Sequence, residues 1–102
     1  MPQNPLNIPV GAQVSAPITT STTTAINLGS KAVFSGILVN TAGSAWNAEI
    51  YNGNPASGGT LLATIPCDAQ GVISSPYLRC PQGLYVVTSG TTAGSISIAY
   101  YA

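Results

Sequence analysis

An all-β fold follows from three features of this sequence. Apolar and polar residues alternate at period 2 over 45–51 and 95–101. Gly, Pro, Asn, Asp and Ser punctuate the apolar runs at short, regular intervals. No stretch holds a helical period. Together these predict an antiparallel two-sheet sandwich of seven or eight short strands, jelly-roll-like or immunoglobulin-like in connectivity, with an extended N-terminal arm. The two connectivities stay open at this stage. The Cys–Trp–Cys order of antibody domains is absent, because Trp46 precedes Cys67 and Cys80.

Residues 1–17 form the arm and 18–102 the sandwich domain. Pro2, Pro5, Pro9 and Pro17 fix φ and remove ladder donors, so the arm is neither a helix nor a central strand. An extended, polyproline-like course fits it better. Leu6, Ile8 and Val10 alternate along it and can lay one apolar edge on a neighbouring subunit. The competing reading is a frayed terminus.

Within the domain, 18–28 (ITTSTTTAINL) is rich in β-branched residues and reads as a strand. Residues 32–40 (AVFSGILVN) make a nearly continuous apolar run, the pattern of a strand buried on both faces. After a turn at 41–44, Trp46, Ala48 and Ile50 face one way and Asn47, Glu49 and Tyr51 the other. The stretch 52–59 is a loop, 60–65 (TLLATI) a strand closed by Pro66, and 68–71 a turn. Pro76 demotes 72–79 to an edge strand or a bend. Strands at 84–89 and 95–101 complete the chain, with Ile96, Ile98 and Tyr100 inward and Ser95, Ser97 and Ala99 outward. Tyr100 and Tyr101 point to opposite faces, so one of them lies outside the core.

The chain has 102 residues, enough for one domain with its own core. Only 4% of it is charged, against about 25% in ordinary soluble domains. Lys31, Glu49, Asp68 and Arg79 are the whole set, and they cancel. A neutral, charge-poor surface resists association weakly and resembles the buried centre of an interface. The composition therefore points to a subunit held among neighbours, the alternative being a monomer solubilised by Ser, Thr, Asn and Gln. Two cations are too few for a nucleic-acid footprint, so nucleic acid is not expected as a partner. No apolar run approaches the roughly 20 residues of a membrane-spanning helix, and no membrane partner is expected. The N-terminus lacks the basic start and continuous apolar stretch of a signal peptide, which implies synthesis in a cytosol.

The residues that carry chemistry are scarce. There is no histidine to act as a base, and Glu49 and Asp68 lie in different elements. Cys67 and Cys80 have neither metal-ligand spacing nor a partner base, and two scattered acids are too few for calcium. The thiols read as buried and reduced, with a disulfide open if their Cα atoms come within about 7 Å. No catalytic residue, metal ligand or cofactor is expected. Trp46 reads as a core anchor. Tyr51, on the opposite face beside the Asn-Gly-Asn loop, reads as an interface anchor or as a tyrosine lying over a strand edge.

The segments WNAEIYNGNPASGGTLLATI (46–65) and GLYVVTSGTTAGSISIAYY (83–101) resemble small virion proteins of tailed bacteriophages. In that pattern a strand ending IY-x-G leads through a Ser/Gly loop to G-x-LLATI. A GLYV strand, a GTT turn and a last strand ending in Tyr follow. An Asp often succeeds the IY pair, where this chain has Asn52, which argues against a metal or charged contact in the loop. The resemblance implies a non-enzymatic capsid decoration (cement) protein on the outer capsid surface, with the major capsid protein as partner and a homotrimer as the assembly. Leu6, Ile8, Val10 and Tyr51 would then be the capsid or inter-subunit contacts. The alternative is a tail, fibre or adhesin-type carbohydrate-binding module.

Overall fold

The computed structural model describes residues 11–102. Eight strands follow one another: β1 (Gln13–Val14), β2 (Thr23–Asn27), β3 (Ala32–Thr41), β4 (Ser44–Asn52), β5 (Thr60–Pro66), β6 (Gly71–Cys80), β7 (Leu84–Thr92) and β8 (Ser95–Tyr101). A single 3-10 turn at Pro55–Ser57 is the one helical element among the described residues. The strands form two four-stranded antiparallel sheets. Sheet I has the order β1-β8-β3-β6 and sheet II the order β2-β7-β4-β5.

This order resolves the connectivity. β1 pairs with β8, β2 with β7, β3 with β6 and β4 with β5, so the chain runs out and back as one long hairpin. That hairpin is then wound until β3 meets β8 and β4 meets β7. The result is a jelly roll. Every connection crosses between the sheets except β4 to β5. The strand expected over 18–28 therefore begins only at Thr23. Ile18 bridges to Ile96 of β8 in sheet I, and 19–22 carry the chain across to sheet II.

Alternation puts one side of each sheet into a common core. Phe34 and Ile37 of β3, Trp46 and Ile50 of β4, Leu84 and Val86 of β7, and Ile96 and Ile98 of β8 are fully buried. The Trp46 indole donates to Ser21 Oγ at 3.1 Å, which satisfies its buried nitrogen. Close approach also needs Gly90, paired with Trp46, where a Cβ would lie only 2.0 Å from the Ala45 carbonyl oxygen. Cys67 and Cys80 are buried free thiols. Burial, with the Asp68 charge behind it, pushes the Cys67 thiol up to about 11.

A buried threonine fastens the crossing segment. Thr88 Oγ1 donates to the Thr20 carbonyl at 2.7 Å and accepts the Thr22 amide at 3.0 Å. Upstream, Ser15 exchanges bonds with Ile98: its amide donates to the Ile98 carbonyl and its hydroxyl accepts the Ile98 amide, both at 2.9 Å. Residues 13–18, most of which fall within the stretch read as an arm, are thus bonded along the β8 edge.

The β6 edge is protected. β6 pairs with β3 in a register that jumps from Phe34↔Leu78 to Gly36↔Ser74, leaving Ser75, Pro76 and Tyr77 as a bulge. Pro76 sits where no ladder donor is needed, as its place in an edge strand requires.

Candidate functional site

Because the inner faces make the core, function falls to the outer faces, edges and loops. The two outer faces differ in residue type. On sheet II, Asn47, Glu49 and Tyr51 of β4 point outward beside Tyr85 and Val87 of β7 and Thr64 of β5. Tyr51 is half-buried, opposite Tyr85 and Leu61, and its hydroxyl donates to Glu49 Oε1 at 3.3 Å. Partial desolvation, then the Glu49 charge and hydrogen bond, raise its phenol above the ordinary value. Tyr51 is therefore a neutral donor tied to its own sheet. The adjoining loop is braced against the β6–β7 turn. Asn52 Oδ1 accepts the Gln82 amide at 2.8 Å, and the Gly53 amide donates to the Gly83 carbonyl at 2.8 Å.

Sheet I presents another surface. Leu38 pairs with Val72 on one side and Ser97 on the other, Val33 with Arg79 and Tyr101, and Val14 with Ala99. Paired residues share a face, and none of these packs into the core. Val14, Val72 and Tyr77 are 53%, 73% and 68% exposed, three of the five large apolar side chains most open to solvent among the described residues. Tyr77 reaches over β3 to meet Tyr101 edge-to-face, with ring centroids 5.5 Å apart. Arg79 stands on the edge strand of this face, and Lys31, just before β3, lines one small pocket with it and Val33.

Of the residues singled out from sequence, Tyr51 is on the outer face of sheet II, and Leu6, Ile8 and Val10 lie outside the described residues. The outer residues of sheet I were not singled out as a group, although the double-sided apolar character of 32–40 pointed toward them. In this chain β3 buries only its inner side fully; Val33 and Leu38 remain partly open.

The chemistry available is limited by these placements. Glu49 is engaged by Tyr51, and Asp68 Oδ1 accepts the Trp46 amide at 2.9 Å. Among the described residues, no three His, Cys, Asp or Glu gather as metal ligands. A groove of about 450 Å³ opens between the β1 segment and β2, where Val14, Ile18, Thr22, Ile26 and Tyr100 line it without a charged group. Among the described residues no helix is long and apolar enough to cross a membrane.

No family model matches the chain, and no curated protein or solved structure matches it either. What fold and surface define is a class: a charge-poor jelly roll with one largely apolar outer face and one that mixes polar, acidic and apolar side chains.

Proposed function

We propose that this chain is a non-enzymatic virion structural protein, a capsid decoration protein that docks on the outer capsid surface and stabilises it. The observation that carries the reading is the apolar outer face of sheet I on a chain that is only 4% charged. Exposed apolar patches of this kind mark interaction surfaces. The resemblance of 46–65 and 83–101 to phage virion proteins supplies the setting: the major capsid protein as partner, the virion as location, and self-association on that surface. A jelly roll serves capsid and lectin proteins alike, so the fold alone does not choose. The neighbouring Tyr51 and Tyr85 on sheet II favour a second reading, a carbohydrate-binding module of a tail, fibre or adhesin.

Co-sedimentation with purified capsids tests the first reading. Decoration predicts saturable, stoichiometric binding that raises the capsid's melting temperature and ignores added polysaccharide. Binding to polysaccharide that is lost in Tyr51→Ala, with no capsid binding, would establish the second reading in its place.

A further inference from the structure

We infer that two copies of this chain associate through the outer face of sheet I, face to face across a two-fold axis. The inference rests on the reading that the chain self-associates; it does not depend on the capsid. The surface consists of Val14, Val33, Leu38, Val72, Tyr77 and Tyr101, gathered by strand pairing and by the edge-to-face contact of the two tyrosines. The interior strand β3 has the composition of a strand buried on both faces, yet the chain buries only its inner face fully and leaves Val33 and Leu38 partly open.

Charge selects the occupant. A flat apolar sheet is matched by another flat apolar surface, as the two inner faces of the sandwich match each other about 10 Å apart. The outer face of sheet II does not qualify, because stacking it here would bury the Glu49 carboxylate of an interior strand, while Arg79 and Lys31 stand at the rim of sheet I. The same face of a second copy brings no acid. Its cations are Arg79 on the edge strand and Lys31 just before β3, where long side chains keep both charges at the wet rim. One two-fold axis covers both apolar faces at once and closes the assembly. Such a contact makes a dimer, in place of the trimer the phage resemblance implies.

Area sets the strength. The long strands β3, β6 and β8 have 10, 10 and 7 residues. At about 4.8 Å between strands and about 3.3 Å per residue, the face covers roughly 400 Å² in plan. Two such faces bury roughly 800 Å² in plan, and more in accessible area, near the ~1,000 Å² floor of a specific interface. An interface of that size is weak and reversible, and sensitive to one charge placed at its centre.

Sedimentation equilibrium of the full chain without capsids tests this, run from low micromolar to several hundred micromolar. The mass should rise from 10.2 kDa toward twice that value. Leu38→Lys and Val33→Lys replace outward side chains of the interior strand β3, so each should keep its circular dichroism spectrum while weakening the dimer about tenfold or more. Either variant alone suffices for the comparison with Thr64→Lys, on the outer face of sheet II, which should leave the dimer intact. A mass of one chain at every concentration, a trimer, an open series of stacked copies, or equal weakening by Thr64→Lys would each overturn the inference. Failure of capsid binding would bear on the decoration reading and leave this result unchanged.

Discussion

The two outer faces are built by the same alternation and end with different characters. On sheet II the outward positions mix Asn47, Glu49 and Thr64 with Tyr51, Tyr85, Val87 and Leu61, and the Glu49 carboxylate stands among them. On sheet I the outward positions hold Val14, Val33, Leu38 and Val72, with Tyr77 and Tyr101. Both sheets seal the same core, so the difference owes nothing to folding. An antiparallel sandwich needs one apolar side per sheet, and sheet I carries two. The second apolar side is the part of the sequence that stability of a single chain does not require.

The sharpest way to break this comparison is within β3. Phe34→Ala empties the core and should cost about 3–5 kcal/mol. Val33→Ala, the next residue along, should cost about 1 kcal/mol or less, since its side chain faces outward. Denaturant titration of the two variants checks this, and similar losses would mean that the outer face is needed to fold. Next comes Thr88→Val, which leaves the Thr22 amide without its acceptor and should cost about 1–3 kcal/mol. Its loss should fall on the 19–22 crossing, read as faster amide exchange there while β3 and β8 stay protected.

A smaller effect appears at high pH. The Cys67 thiol has an ordinary pKa of 9.0 and is pushed up here to about 11, so the folded chain keeps its proton longer than the unfolded chain. The stability it contributes is complete below pH 9 and is lost as pH rises through about 11. Melting temperature should therefore fall over that window, and Cys67→Ala should flatten the fall. At neutral pH neither cysteine should react with a thiol reagent until the chain unfolds. The smallest effect is Tyr51→Phe, which removes a half-exposed bond to Glu49 and should leave both melting and self-association nearly unchanged.

The core was legible because alternation is a local signal: Trp46, Ala48 and Ile50 point inward as their spacing requires, and so do Ile96 and Ile98. Winding was not legible. Pairing of β1 with β8 spans the whole chain, and the turn residues between strands say nothing about which sheet the chain enters next. The apolar outer face was hidden for a different reason. Val72 and Tyr77 differ by an odd number of positions, which in an unbroken strand sends them to opposite faces. The bulge at 75–77 restores both to the same side. Val33 and Leu38 are likewise an odd number apart, and the register shift beside Gly36 reconciles them. A Cβ at Gly36 would lie 2.5 Å from the Ile73 carbonyl oxygen, so the irregularity is built around a residue without a side chain. Thr88 and Ser15, which staple the crossing and the β8 edge, looked like ordinary strand and linker residues. Their roles depend on partners more than 60 positions away.

The two faces carry their own reporters. Tyr77 and Tyr101 stand on sheet I, Tyr51 and Tyr85 on sheet II. Hydroxyl-radical labelling of the full chain, read by mass spectrometry at low and at high micromolar concentration, measures all four in one sample. Tyr77 and Tyr101 should become protected as concentration rises, while Tyr51 and Tyr85 label equally at both. Protection of Tyr51 and Tyr85 instead, or no change at any of the four, would contradict the assignment of association to the apolar face of sheet I.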